Sequence, residues 1–241
     1  MRIKVTLSSE KPILLSTSYN RSVQGLIYSL LEENFRNILH DIGYVSGKRA
    51  FKLFTFSRLF GKFARRGDVI EFDRRVALFV SSPIEKIIEQ ISKGLVGGVV
   101  QLETNKLRVE SIDFLKKPPI SSPITVRTLS PITVYSTLYS AEGSKKTYYY
   151  SPFEKEFVEI IRSNLLKKAK ILNVSSSGNF ELESDGRQKE IFLSFKGTLV
   201  RGWIGNFRLT GDQSLISIGY EAGFGNKNSA GFGMIEVLKN A

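Results

Sequence analysis

The strongest constraint on this chain lies near its C-terminus, where Gly219 to Gly233 holds five glycines in fifteen residues. Two Gly-Phe-Gly triplets, 223–225 and 231–233, flank Asn226-Lys227-Asn228-Ser229-Ala230. Glycine is favoured where the backbone needs φ > 0 or must approach another group closely. The doubled pattern reads as a loop whose N–H groups face something large and anionic, with Lys227 adding a charge at its centre. A glycine-rich β-turn without a ligand is the simpler alternative. Phe224 and Phe232 either anchor the loop or offer a stacking face. Two familiar glycine motifs are excluded. No Gly-x-x-x-x-Gly-Lys-Ser/Thr run is present. The dinucleotide fingerprint needs a third glycine where Asn228 stands, then a helix and a second strand, and only eight residues follow Gly233. The loop therefore leads into a terminal strand, Met234 to Leu238.

Charge narrows the partner. The formal net charge is +12 over 241 residues, which favours a polyanion. Between Lys48 and Arg75 there are nine Lys or Arg (48, 49, 52, 58, 62, 65, 66, 74, 75) and three acids (68, 71, 73), so this stretch alone carries +6. Phenylalanines at 51, 54, 56, 60, 63 and 72 run through it, a mixture suited to single-stranded nucleic acid; a solubilising surface is the alternative. There are no cysteines and one histidine, so thiolate metal sites are excluded and a zinc centre is not expected; no cofactor is expected either. No apolar run is long enough to span a bilayer, and Met1 to Val5 alternates like a strand rather than a signal peptide, so a cytoplasmic location is the expectation.

Periodicity outlines two halves. Met1 to Leu7 reads as a strand. Ser22, a candidate N-cap, opens a helical pattern to about Leu39. Phe51 to Ser57 and Val69 to Val80 read as strands around an Arg65–Asp68 turn. Ser82-Pro83-Ile84-Glu85 is a helix start, and Ile84, Ile87, Ile88, Ile91 and Leu95 continue at helical spacing. Leu107 to Leu115 closes a β-α-β-β-α-β order. Three prolines within 118–123 mark a linker. The second half repeats the outline: strands 124–129 and 132–138, a helix after Ser151-Pro152-Phe153-Glu154, strands 180–183, 190–195 and 198–209, then the glycine loop. The expected fold class is α+β, with two tandem ferredoxin-like (RRM-like, βαββαβ) domains, 1–117 and 124–241.

Gly-Phe-Gly, five residues, Gly-Phe-Gly close to the C-terminus resembles the signature loop of the RAMP superfamily of CRISPR-associated proteins. Within it the chain is most similar to the repeat-RNA processing endoribonucleases, the sixth Cas family. The first strand, Gln24-Gly25-Leu26-Ile27-Tyr28, Lys52-Leu53-Phe54-Thr55 and Ser130-Pro131-Ile132 also fit, so the resemblance spans the chain. It implies metal-independent cleavage of precursor RNA within CRISPR repeats, by attack of a 2′-hydroxyl, leaving 2′,3′-cyclic phosphate and 5′-hydroxyl ends. It also implies a catalytic set of Tyr28, His40 and Lys52. His40 would act as acid or base, since histidine is the side-chain type that exchanges protons near neutrality. Tyr28 would take or relay the nucleophile's proton, and Lys52 would offset transition-state charge.

A straight helix would hold Tyr28 and His40 ~18 Å apart at 1.5 Å per residue, so this pairing needs a break, expected at Asn34 or within Glu32 to Arg36. RNA contacts are expected from Gly223, Phe224, Gly225, Asn226, Lys227, Asn228, Ser229, Gly231 and Gly233, and more weakly from Arg201 and Arg208. Trp203 is as suited to core packing as to stacking, and Tyr148 to Tyr150 to packing. The implied partner is single-stranded or weakly structured CRISPR repeat RNA, with a CRISPR effector complex and a homodimer as further partners and no membrane. A non-catalytic RNA-binding paralogue, or a RAMP-type effector subunit, is the alternative that stays open.

Overall fold

A computed structural model describes residues 1–139 and 143–238. The chain opens with β1 (Arg2–Ser8), β2 (Ile13–Ser16), α1 (Asn20–Ser29), α2 (Glu33–Asn37) and a π turn, Ile38–Ile42. Then come β3 (Tyr44–Ser46), β4 (Arg49–Phe51), β5 (Thr55–Phe56), β6 (Phe63–Arg66), β7 (Val69–Phe72), β8 (Arg75–Ser81), α3 (Glu85–Leu95), β9 (Val99–Leu102) and β10 (Asn105–Leu115). The second half holds β11 (Ile124–Thr128), β12 (Tyr135–Tyr139), β13 (Lys145–Tyr149), α4 (Lys155–Ile171), β14 (Phe180–Ser184), β15 (Lys189–Phe195), β16 (Thr198–Ile204), β17 (Asn206–Gly211), α5 (Gln213–Ala222) and β18 (Ile235–Val237).

Both main sheets are antiparallel, with orders β5-β8-β1-β10-β9 and β14-β17-β11-β18. In each, the strand that opens the half lies between the two strands joined through the second long helix, α3 or α5. β1 turns Ile3, Val5 and Leu7 into a core that extends to Leu107. α3 presents Ile87, Ile88, Ile91 and Leu95 to it, an apolar stripe at helical period. A second core runs from Ile124 to Ile235, where α4 contributes Phe157, Ile161 and Leu165.

Several boundaries depart from the pattern reading. Asn20, not Ser22, begins α1; the Ser22 hydroxyl donates to Glu103. The helical pattern breaks at Leu30–Glu32, meeting the expected stretch at Glu32, which is extended at ψ 141, while Asn34 lies inside α2. Segment 51–57 is not one strand, because Leu53 adopts φ +52, a left-handed turn inside it. Segments 69–80 and 198–209 each split between two sheets, the second at Gly205 with φ +148. Ser82 accepts from the Ile84 N–H at 3.0 Å, just ahead of α3. Strands β2, β3, β4, β6, β9 and β13 and helix α5 were not anticipated. The linker 116–123 carries no helix or strand, as its prolines suggested. Among the described residues no helix is long and apolar enough to cross a membrane.

Contacts between the halves are polar and specific. The buried Arg2 guanidinium donates to the carbonyls of Tyr220 at 2.6 Å and Ile235 at 2.8 Å, and lies over the Tyr220 ring. Asn20 and Gln24 of α1 donate to Ala230 and Ser229 at 3.0 and 2.7 Å, and Thr55 donates to Phe232 at 3.0 Å. The glycine loop is thus docked against the first half.

Candidate active site and nucleic-acid cleft

The break after α1 decides the site. Past Leu30 the chain turns, α2 restarts at Glu33, and the π turn presents His40. π turns are rare and are found frequently at functional sites. The Tyr28 and His40 rings meet edge to face, with centroids 5.3 Å apart. Lys52 follows β4, and its ammonium donates to the His40 carbonyl at 2.5 Å. Three residues spread over the first quarter of the chain therefore converge.

Their environments differ. Tyr28 is buried against Phe54, and burial pushes its phenol up to about 12. A phenol so placed stays protonated near neutrality and is able to donate a hydrogen bond. Its hydroxyl has no protein partner among the described residues. Desolvation lowers the Lys52 ammonium, with Asp41 opposing. The His40 side chain is 60% exposed, and its Nδ1 lies 2.7 Å from Asp41 Oδ1. With Nδ1–H donated to Asp41, Nε2 is left for a ligand. Asp41 escaped the sequence reading, although it is the neighbouring residue.

Two clefts meet here. One, of about 360 Å³, is lined by Tyr28 and His40 with Arg21, Arg36 and Lys196. The other, of about 440 Å³, lies between the halves and is lined by Lys52, Arg49, Asn164, Lys168 and Lys227. The Lys52–His40 hydrogen bond joins them.

The glycine loop floors the second cleft. Gly225 and Gly233 have φ of +75° and +80°, and a Cβ at either would overlap a carbonyl oxygen, of Thr133 or Phe224. The glycines therefore serve close packing of the loop on itself and on the second half. Most of its amides are already used. Those of Gly223, Phe224, Asn226, Gly231 and Gly233 donate to the carbonyls of Gly219, Gly233, Thr133, Asn228 and Pro131. The amides of Gly225, Lys227, Asn228 and Ser229, which line this cleft, have no protein acceptor among the described residues. The expected main-chain donors narrow to those four. Phe224 and Phe232 are buried at 1% and 0%, so their rings anchor the loop and are not stacking faces. The Lys227 ammonium lies 5.4 Å from the Tyr135 ring centre, lowered by desolvation and by Lys196.

Lys168 was not foreseen. It is wholly buried in α4 and donates to the carbonyls of Ala222 at 3.2 Å and Gly223 at 2.6 Å, and to Asn228 Oδ1 at 2.8 Å. Asn228 in turn donates to the carbonyls of Phe224 and Phe232. The lysine thus ties the end of α5 to the centre of the loop. Burial pulls its ammonium down to about 7.

Arg201 and Arg208 line neither cleft. Arg201 pairs with Glu190 and lies over the Trp203 ring, whose indole joins the second core and donates to the Tyr150 carbonyl. Arg208 stands exposed on β17 opposite Glu183. The Tyr148 hydroxyl donates to Glu154. Among the described residues no group of three His, Asp or Glu side chains is arranged to hold a metal ion.

Paired antiparallel sheets, a glycine loop docked between them and a cationic cleft place the chain in the RAMP superfamily of CRISPR-associated proteins. Residues 115–237 match the family described as CRISPR associated protein Cas6, C-terminal. The chain is 31% identical to a CRISPR-associated endoribonuclease Cas6 of Methanocaldococcus jannaschii, over 98% of this chain and 92% of that protein. It is 29% identical to the endoribonuclease Cas6 of Pyrococcus furiosus, over 100% and 91%. Among solved structures, a CRISPR associated protein Cas6 superposes with TM-score 0.81 at 28% identity, covering 99% of both chains. A RAMP protein described as binding different RNA substrates superposes with TM-score 0.84 at 25% identity, covering 99% and 100%. The chain belongs to the Cas6 family.

Proposed function

We propose that this protein is a CRISPR RNA endoribonuclease that binds repeat RNA and cleaves the precursor within the repeat. Relatives named as endoribonucleases support RNA cleavage. The convergence of Tyr28, His40 and Lys52 beside a cationic cleft carries the reading furthest.

The 2′-hydroxyl attacks the adjacent phosphorus, and the bond from phosphorus to the 5′-oxygen breaks. His40 gives a proton to that oxygen through Nε2, while the 2′-hydroxyl proton passes to water. Tyr28, protonated, donates a hydrogen bond to the reacting phosphate, and Lys52 positions His40 and adds positive charge where negative charge develops. No step calls for a metal. The products are a 2′,3′-cyclic phosphate and a 5′-hydroxyl, and DNA is inert. The strand crosses from the Tyr28–His40 cleft to the loop tip, where Lys227, Asn228 and Ser229 donate to it. Each half is a ferredoxin-like unit, 1–117 and 124–241, residues 239–241 lying outside the described ones.

The test is incubation of the protein with repeat RNA in EDTA, with analysis of the product ends. Cleavage persists, yields cyclic-phosphate ends, and is lost in His40→Ala while binding survives. Tight binding without cleavage by the unaltered protein would instead make it an RNA-binding paralogue.

A further inference from the structure

Half of the net charge lies between Lys48 and Arg75, yet of those nine cations only Arg49 and Lys52 line the two clefts. A third cavity lies beside part of the rest. It is about 320 Å³, walled by Tyr19, Phe60, Phe63 and Phe72 on one side and by Ile191 and Leu193 of β15 on the other. Arg58 also lines it. The Arg58 guanidinium makes no hydrogen bond or ion pair among the described residues, and its Nε is buried without a partner. An arginine seldom forgoes every acceptor in a folded protein, because a buried donor left unsatisfied is costly. Phe63 is 62% exposed at the rim, tilted against Phe72 with ring centres 5.6 Å apart. The exposed Lys62, Arg65 and Arg66 stand on the same hairpin. On the floor, Asn20 spends its Nδ2 on Ala230 and Gly231, so the cavity is contiguous with the glycine loop.

We propose that this cavity holds one unstacked nucleobase of the bound RNA, stacked on Phe63, with Arg58 donating to its edge and the rim cations on the flanking phosphates. The chemistry fits each part. An aromatic face takes any base, a guanidinium supplies donors to base oxygens and ring nitrogens, and 320 Å³ admits one base with its sugar. The proposal rests on the reading that this chain binds repeat RNA, and adds to it a second anchoring point beyond the cleavage centre.

The experiment measures the affinity of full-length protein for repeat RNA at fixed salt, using Phe63→Ala and Arg58→Gln, and a set of RNAs each with one abasic position. Neither substitution removes a protein contact that a hydrogen bond or ion pair holds, so both variants should fold; Phe63→Trp guards against a structural effect by restoring a stacking face. Phe63→Ala is expected to weaken binding about tenfold, the usual worth of one stacked base, and Phe63→Trp to restore it. One abasic position should weaken the unaltered protein similarly and add nothing in Phe63→Ala. Cleavage at saturating protein should be unchanged in both variants. Equal affinity in Phe63→Ala, or losses that add at every abasic position, would overturn the proposal. Failure of the unaltered protein to bind repeat RNA would remove the underlying reading, and the base pocket with it.

Discussion

Lys168→Met tests whether the buried lysine holds the glycine loop. The substitution keeps the aliphatic stem and deletes the ammonium. Three acceptors then lose their donor: the carbonyls of Ala222 and Gly223, and Asn228 Oδ1. At about 1 kcal/mol for each unsatisfied buried acceptor, the loss is about 3 kcal/mol. For a chain of this length that is a fall in Tm of about 6–12 °C. The pH dependence supplies a sharper signature. Burial holds the Lys168 ammonium at about 7, below the 10.5 of a free lysine. The unfolded chain therefore binds more protons than the folded one between those values, and stability rises with pH in that window by up to about 1.4 kcal/mol per pH unit. Lys168→Met lacks this group, so the stability difference between the two proteins should widen from pH 7 toward pH 10. Urea unfolding across that range measures it. A gap that narrows with rising pH would refute the reasoning, since it would mean that the three hydrogen bonds outweigh desolvation and keep the lysine charged.

Four other outcomes follow from the same geometry. Gly233→Ala forces a Cβ into the Phe224 carbonyl at φ +80°, and should cost at least about 2 kcal/mol in urea unfolding, with RNA affinity falling as the loop shifts. Tyr28→Phe should slow cleavage about five- to tenfold, the loss of one hydrogen-bond donor, without changing the shape of the pH–rate profile below pH 10; an alkaline limb lost in the variant would make Tyr28 a base after all. Asp212 caps α5, and although desolvation raises its carboxyl, hydrogen bonds from the Ser177 and Ser214 amides hold it at about 2. Asp212→Ala should cost about 1 kcal/mol at neutral pH, and the difference should fade as pH drops from about 4 through 2, where the native carboxylate is protonated. Raising salt should weaken RNA binding steeply, and less steeply in Lys227→Ala if the loop tip meets a phosphate.

The chain's periodicity makes much of this architecture readable. Ile87, Ile88, Ile91 and Leu95 mark α3. Helix α5 is harder to see. It is short, contains Gly219, and follows β17 directly, so its apolar residues blend with the strand before it; Asp212 is the signal that marks its start. The glycines are legible as backbone constraints, but their reason is not, because amide partners such as Pro131 and Thr133 are nearly a hundred residues away. Ile161, Leu165 and Lys168 share one face of α4, so a lysine on an apolar stripe is the trace that points to the buried clamp. Nothing local distinguishes Arg58 from its cationic neighbours. Only in the fold does it come to line a cavity with Ile191 and Leu193 of β15.

The most direct measurement is the structure of the protein with repeat RNA carrying a 2′-deoxy nucleotide at the cleavage position, which removes the nucleophile and preserves the scissile bond. The account predicts the 5′-leaving oxygen within hydrogen-bond reach of His40 Nε2, about 3 Å, with the Tyr28 hydroxyl and Lys52 on the same phosphate and the strand running on to Lys227. A scissile phosphate seated away from His40, with the Tyr28–His40 cleft empty, would contradict it.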